Sequence, residues 1–250
     1  MTHCYILSLP TEIINVIINN YSLSLRPKIR FMSTCNIFYA NIKILYLSSK
    51  NINSELLEQP KFQYVSNLKI RHTSDIICFP YLPYLTKLNI YNNVYNPCIS
   101  NLRNLRSLNI FGTRSNISCL TNLKKLNISG YYNEICQNNI SSLVNLTNLN
   151  ISGNRHIKNI DHLINLTYLD ISNNIHITNI SHLTKLTHLN IYNNLYITNI
   201  SHLTNLTYLD ISGTICSIDQ NNIMKLYSLR QIETHNNSKI TSYTHLTNLL

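Results

Sequence analysis

A triplet of the form Leu-x-Ile recurs along this chain at nearly constant spacing. The leucines of the eight clear copies are separated by 20, 20, 18, 23, 20, 20 and 20 residues. A unit this short has an apolar face that it cannot bury alone, so neighbouring units must stack into one continuous core. The leucines are Leu68, Leu88, Leu108, Leu126, Leu149, Leu169, Leu189 and Leu209.

Glycine is confined to one position of this repeat. All four glycines, Gly112, Gly130, Gly153 and Gly213, lie four residues after a strand leucine. Glycine adopts positive φ at no steric cost, and asparagine is the usual substitute. The pattern therefore predicts the same backbone bend at the ends of these strands, and three of the other four clear repeats carry asparagine there: Asn92, Asn173 and Asn193.

Two apolar periodicities follow each other within each unit. Leu209 and Ile211 alternate with polar residues, which is typical of a short strand with one buried face. The apolar residues before the strand recur every three positions, a spacing that suits 3₁₀ turns or extended segments better than an α-helix. We therefore predict an α+β repeat solenoid. Its concave face is a parallel β-sheet, and its convex segments are short 3₁₀ turns or extended.

Segments such as LTYLDISNN and LTNLTYLDISG resemble the leucine-rich-repeat family over residues 60–250. The resemblance implies that an asparagine five residues after the strand leucine is buried and bonds backbone groups of the turn. Three residues, Thr113, Tyr131 and Thr214, interrupt this column, and the last unit aligns on Leu229 with Arg230 on the concave face. The asparagines of the column are Asn93, Asn154, Asn174 and Asn194.

Side chains that flank the buried strand positions point to the concave face. Aromatic and acidic residues are concentrated there in the later repeats, and aromatic side chains are frequent anchors of protein interfaces. The alternative is that the polar column only solvates the sheet, which we favour for Asn109 to Asn150. The predicted target-binding residues are Tyr168, Asp170, His188, Tyr192, Tyr208 and Asp210.

Three histidines, His162, His182 and His202, recur every twenty residues. Rings on adjacent coils could share a metal ion, but repetition of the unit alone also copies a histidine, and we predict neither a metal nor a cofactor. The chain contains no GxGxxG, P-loop or GxSxG motif. We predict that it is not an enzyme.

The first fifty residues lack the repeat. The line LPTEIINVIINNY, followed by IRFMSTCNIFY, resembles an F-box, although Phe38 stands where tryptophan is common. This implies a helical F-box-like domain at 1–50, a linker at 51–62 and repeats at 63–250. The resemblance implies that an Skp1-like adaptor contacts Leu9, Pro10, Ile13, Ile17, Cys35 and Phe38.

An F-box followed by such repeats resembles the substrate receptors of Skp1–cullin–F-box ubiquitin ligases. The composition resembles that of repeat proteins from giant amoeba-infecting viruses. This implies a monomer outside the ligase that binds an unknown protein substrate. The alternative is a repeat scaffold in which the N-terminus only caps the solenoid.

Charge suggests a third possibility, a basic nucleic-acid-binding solenoid. Residues 21–130 hold 14 basic and 3 acidic side chains, although no cluster of five basic residues occurs. The seven scattered cysteines indicate free thiols in a reducing compartment. We predict an intracellular protein of the cytoplasm or nucleus, in the host cell if it is viral. No apolar run is long enough for a membrane span.

Overall fold

The computed structural model describes residues 46–49, 54–58, 62–71, 76, 78–91 and 96–249. The chain divides into two compact units, Met1–Leu105 and Arg106–Leu250. The predicted F-box domain lies outside the described residues except for its last few positions, and so do Asn92 and Asn93. Among the described residues, no helix has the length and apolar character needed to cross a bilayer.

The first unit contains a three-stranded parallel sheet. Strand β1 pairs with β2 so that Leu47 lies opposite Leu68, and β2 pairs with β3 so that Leu68 lies opposite Leu88. Strand β1 precedes the predicted start of the repeats at residue 63, and helix α1 lies within the predicted linker. The elements are β1 (Tyr46–Ser49), α1 (Ser54–Glu58), β2 (Asn67–Arg71) and β3 (Lys87–Tyr91).

The second unit contains a seven-stranded parallel sheet in which each strand pairs with the next along the chain. The predicted strand leucines lie opposite one another from Leu108 to Leu209. The strands are β4 (Ser107–Ile110), β5 (Lys125–Asn127), β6 (Asn148–Asn150), β7 (Tyr168–Asp170), β8 (His188–Asn190), β9 (Tyr208–Asp210) and β10 (Gln231–Glu233).

The residues spaced by three form the core of each coil. In one repeat, Ile160, Leu163 and Leu166 are buried. The Leu163 amide donates to the Ile160 carbonyl, and the Leu166 amide donates to the Leu163 carbonyl. These successive three-residue turns keep one side chain in three directed inward. The predicted convex segments are therefore confirmed for the repeats of twenty residues.

Positive φ occurs where the glycine and asparagine pattern predicts it. Gly153 has a φ of 66° and Asn173 has a φ of 54°. Each donates its backbone amide to the next coil, Gly153 to the Ser172 carbonyl and Asn173 to the Tyr192 carbonyl. The left-handed residue therefore turns the chain out of the strand while keeping the hydrogen bonding between coils.

Two repeats are longer because each contains one turn of α-helix. Helices α2 (Gln137–Ile140) and α3 (Gln220–Ile223) share the sequence QNNI and bury their isoleucine. Because of helix α3, the predicted alignment of the last unit is wrong. Ile232, not Leu229, lies opposite Leu209, and Glu233 lies opposite Asp210, the place predicted for Arg230. The sequence carried a signal for this insertion, because the segment QNNI occurs in both of the units that have 23 residues.

The predicted buried asparagines link each coil to the one before it. The Asn174 side-chain amide donates to the Asn154 carbonyl at 2.8 Å, and its oxygen accepts the amides of His176 and Ile177, both at 2.9 Å. Asn194 repeats this arrangement, donating to the Asn174 carbonyl at 2.9 Å. We call Asn154, Asn174 and Asn194 the asparagine ladder.

The ladder also continues where the sequence predicted a break. Tyr131 is exposed, but Asn133, two residues later, is buried and donates to the Ile110 carbonyl at 2.9 Å. At Thr113 the side-chain hydroxyl accepts the Ser115 amide at 3.2 Å. The insertion in the longer repeat shifts the asparagine without removing its contacts.

Replacement of Asn174 by alanine should lower the free energy of unfolding by at least about 3 kcal/mol, because it leaves two amides and a carbonyl buried without partners. The measurement is urea unfolding followed by circular dichroism. The control is Asn179→Ala, which removes an exposed contact to the Ser181 amide and should cost less than about 1 kcal/mol. Equal losses in both variants would contradict the structural role of the ladder.

Candidate functional site

Three of the predicted target-binding side chains form a row of stacked rings. Tyr168, His188 and Tyr208 begin strands β7, β8 and β9 and lie directly opposite one another. The ring centroids of Tyr168 and His188 are 6.1 Å apart, and those of His188 and Tyr208 are 5.9 Å apart. The interplanar angles are 30° and 18°. We call these three residues the aromatic row.

The aromatic row lines a shallow depression on the exposed sheet face. Its volume is about 180 Å³, and Leu189 and Asn190 form the rest of its wall. None of the three rings belongs to the apolar core, and His188 is exposed. The strands position these rings because their register is fixed by the buried leucine that follows each ring. The row therefore presents a rigid aromatic surface to solvent.

The depression is partly desolvated and electronegative. Burial raises the pKa of Tyr168, and the negative charge of Asp170 raises it further. Burial also raises the pKa of Tyr208, to which the charges of Asp210 and Glu233 add. Both shifts favour the neutral form of the phenol.

Asp170 closes the end of its own strand. It is 9% exposed, and one carboxylate oxygen accepts the Ser172 amide at 3.0 Å and the Ser172 hydroxyl at 2.7 Å. The other oxygen accepts the Asn150 side-chain amide at 3.1 Å. The pKa of Asp170 is raised by burial, against the lowering effect of these bonds. This geometry leaves Asp170 little capacity to bind a target directly.

The same turn recurs along the sheet and explains the predicted polar column. Asn127, Asn150, Asn190 and Asp210 each accept the amide two residues later through a side-chain oxygen. The column therefore stabilises strand ends, beyond solvating the sheet. Asp210 differs from Asp170, because among the described residues its carboxylate accepts the Ser212 amide at 2.9 Å and no side-chain donor.

Tyr192 lies in the row that follows the strands. Its ring is 39% exposed, and its neighbours at the equivalent positions are Ser172 and Ser212. Ser172 instead contacts Ser152, with 2.7 Å between their hydroxyl oxygens. The structure thus places Tyr192 at the end of strand β8, outside the stack of three rings.

An exposed apolar column was missed in the sequence. Ile175, Leu195 and Ile215 occupy the position six residues after the strand leucine, and each exposes about half of its surface, at 53%, 49% and 50%. They follow strands β7, β8 and β9, the strands that carry the aromatic row. The signal was present, because an apolar residue in three consecutive repeats lies outside the spacing that builds the core.

The recurring histidines contact neighbouring coils. His162 Nε2 lies 3.1 Å from the Ile140 carbonyl, at the end of helix α2. His182 Nδ1 lies 3.5 Å from a carboxylate oxygen of Asp161. In the part of the chain that the structure describes, no three His, Cys, Asp or Glu side chains are grouped as a metal would require. The six predicted adaptor-binding residues lie outside the described ranges.

No protein-family model matches the chain, and no curated protein matches it. Solved structures do. An internalin from Listeria monocytogenes gives a TM-score of 0.60 at 22% identity, over 84% of this chain and 66% of its own. A leucine-rich-repeat protein of Leptospira interrogans gives 0.57 at 21% identity, over 84% and 65%. The chain has the leucine-rich-repeat fold.

A third structure extends this likeness. The functional domain of InlJ from Listeria monocytogenes gives a TM-score of 0.58 at 23% identity, over 82% of this chain and 47% of its own. This leucine-rich-repeat chain therefore spans less than two thirds of the length of these three proteins. The likeness lies in the fold and includes neither an F-box nor a viral origin.

Asp170→Asn should gain stability relative to the wild type as the pH rises above about 4. Burial raises the pKa of Asp170 in the folded chain, so the folded state binds this proton more tightly than the unfolded state. The carboxyl therefore lowers the free energy of unfolding as the pH rises through the folded pKa. Urea unfolding of the variant and the wild type at pH 3.5 and at pH 7 measures the change.

The matched control is Asp161→Asn, because the Asp161 side chain is 55% exposed. Between pH 3.5 and pH 7, the free energy of unfolding of Asp170→Asn should increase relative to that of the wild type. A difference that moves the other way would show that the bonds to Ser172 outweigh burial at Asp170.

Proposed function

We propose that this leucine-rich-repeat chain is a non-enzymatic scaffold that binds a protein target on the exposed sheet face of its second unit. The observation that carries the proposal is the aromatic row. Three stacked rings on adjacent strands are held in fixed register outside the core. Rigid aromatic side chains lose little conformational entropy on binding, which makes them effective interface anchors.

The apolar column supports the same site. Ile175, Leu195 and Ile215 follow the three strands of the aromatic row and expose apolar surface in consecutive coils. A contiguous exposed apolar strip beside polar residues is typical of a protein interface. The row and the column belong to the same three coils, so both support these coils as the binding surface.

Charge indicates the chemistry of the target. Asp210 and Glu233 lie beside Tyr208, on paired strands, and they are the charges that raise the pKa of this tyrosine. Aromatic faces beside carboxylates attract Arg and Lys side chains through cation–π and ionic contacts. The target therefore presents a basic segment to the row.

Selection from a library of random linear peptides displayed on phage, with the full chain immobilised, tests this proposal. The enriched peptides should carry Arg or Lys, and Tyr208→Ala should weaken their binding about fivefold or more, because it removes one anchor ring. The matched control is Tyr132→Ala, which removes a ring that is 80% exposed and lies outside the row. Peptides that bind both variants as tightly as the wild type would contradict the site.

The salt dependence of binding distinguishes the nucleic-acid alternative from the protein-binding proposal. Binding to phosphate backbones falls by orders of magnitude as the salt concentration rises, whereas an aromatic protein interface depends on salt much less. Tight, steeply salt-dependent binding of a random-sequence oligonucleotide would favour the basic residues of 21–130 as the functional surface. We propose the protein target because the stacked rings lie within residues 131–250, which hold six basic and six acidic side chains.

The finer proposal is that the scaffold serves a ubiquitin ligase of the Skp1–cullin–F-box type in the cytoplasm or nucleus. It is supported by the sequence LPTEI and by Cys35 and Phe38, which match the F-box pattern. The N-terminal segment would bury apolar side chains against an Skp1-like adaptor, and the repeats would hold the substrate. Its mechanism would be an increase in the effective concentration of the substrate near the ligase.

Co-expression with an Skp1 adaptor tests this finer proposal. The wild-type chain should co-purify with the adaptor, and the triple variant Leu9→Ala/Pro10→Ala/Ile13→Ala should lose it while its circular dichroism stays unchanged. The Tyr208→Ala variant is the matched control and should keep the adaptor. A folded wild-type chain that never binds the adaptor would leave the scaffold without a ligase role.

A further inference from the structure

Two exposed cysteines of the first unit lie opposite each other on adjacent coils. Cys78 and Cys98 form an isolated parallel β-bridge, and the Phe79 amide donates to the Cys98 carbonyl at 3.0 Å. Both thiols are free and exposed. Residues paired in a parallel sheet lie about 5 Å apart, which is within the range of Cα separations that a disulfide spans. The backbone therefore already brings the two side chains together.

The position of Cys98 in the repeat stabilises its thiolate. In the later repeats asparagine holds this place, immediately before a buried isoleucine, and the oxygens of Asn116, Asn179 and Asn199 accept the amide two residues later. Cys98 puts its sulfur where that oxygen would be. Its sulfur lies 3.1 Å from the Ser100 hydroxyl, and hydrogen bonds from the Ser100 hydroxyl and amide and from Cys78 lower its pKa.

Cys78 is the complementary partner. Desolvation, its hydrogen bond to the Cys98 sulfur and the charge of that sulfur raise its pKa. The pair thus consists of one sulfur that accepts hydrogen bonds and one that keeps its proton. An accessible cysteine that is more acidic than usual and lies beside a second thiol is the arrangement of cysteines that are oxidised reversibly.

We propose that Cys98 and Cys78 form a redox site, in which a hydroperoxide oxidises Cys98 and Cys78 then closes a disulfide between two adjacent coils. The Cys98 thiolate attacks the hydrogen-bearing peroxide oxygen, so that an S–O bond forms, the O–O bond breaks and the other oxygen leaves as alkoxide, or as hydroxide when the oxidant is hydrogen peroxide. The Cys78 sulfur then attacks the Cys98 sulfur, and the hydroxyl group leaves with the Cys78 proton as water. The two sulfurs lose two electrons, which reduce the peroxide.

The proposal is independent of the target-binding surface, because both cysteines belong to the first unit. The disulfide would link two coils that are otherwise joined by backbone and side-chain hydrogen bonds, such as that from the Asn101 side chain to the Phe79 carbonyl at 3.5 Å. A dithiol reductant would restore both thiols by exchange. The site is therefore a reversible cross-link within the scaffold.

Mass spectrometry tests the proposal. The full chain is first reduced, then treated with hydrogen peroxide and digested with trypsin. Trypsin cleaves after Arg71, Lys87 and Arg103, so each cysteine of the pair lies in a separate peptide. After alkylation of the remaining thiols, the two peptides should be found linked, two hydrogens lighter than their sum, and dithiothreitol should separate them. The matched control, Cys119→Ser, should form the same link.

Trapping with dimedone tests the order of events. Cys78→Ser should accumulate the sulfenic acid adduct at Cys98, whereas Cys98→Ser should form at least about fivefold less adduct at Cys78. Ser100→Ala should slow adduct formation at Cys98, because it removes the hydroxyl donor to the sulfur. A folded wild-type chain that forms no link between the two peptides, or equal adduct at both cysteines, would overturn the proposal.

Discussion

The structure of the second unit depends on hydrogen bonds between asparagine side chains and the backbone of neighbouring coils. A coil of twenty residues has only a short strand and short turns, so some of its buried amides and carbonyls need side-chain partners, and leaving each of them unpaired would cost about 1–3 kcal/mol. Asn174 satisfies two amides of its own coil and one carbonyl of the previous coil. Threonine hydroxyls bond the previous coil at the other end of the strand, as Thr187 does with the Thr167 carbonyl at 3.1 Å.

Most of the fold could be predicted because each repeat forms the same strand, turn and core. The spacing of Leu169, Ile171 and the residues before them specifies strand, turn and core, and the left-handed turns at Gly153 and Asn173 follow from residue type. The last repeat was predicted wrongly, because helix α3 (Gln220–Ile223) adds residues that shift the strand from Leu229 to Ile232, and the QNNI segment that marks this helix was overlooked. A local insertion changes the register without changing the apolar pattern.

The candidate site was predictable in part. Strand periodicity places Tyr168, His188 and Tyr208 on one face, and the fixed repeat length brings their rings into a stack. The separate roles of Asp170 and Asp210 could not be predicted, because they depend on a neighbour, Asn150, whose side chain bonds one carboxylate and not the other. The cysteine pair was missed although the sequence held a signal for it, since residues 78 and 98 are one repeat length of 20 residues apart and the stacking of coils brings them together.

Hydrogen exchange of individual backbone amides tests the role of the asparagine ladder most directly. The Ile177 and Ile197 amides donate to Asn174 and Asn194, and NMR should show them exchanging as slowly as the Ile171 amide, which bonds the next strand. The Ser181 amide, bound to an exposed asparagine, should exchange much faster. Exchange at Ile177 and Ile197 that is as fast as at Ser181 would show that the coils are held together without the ladder.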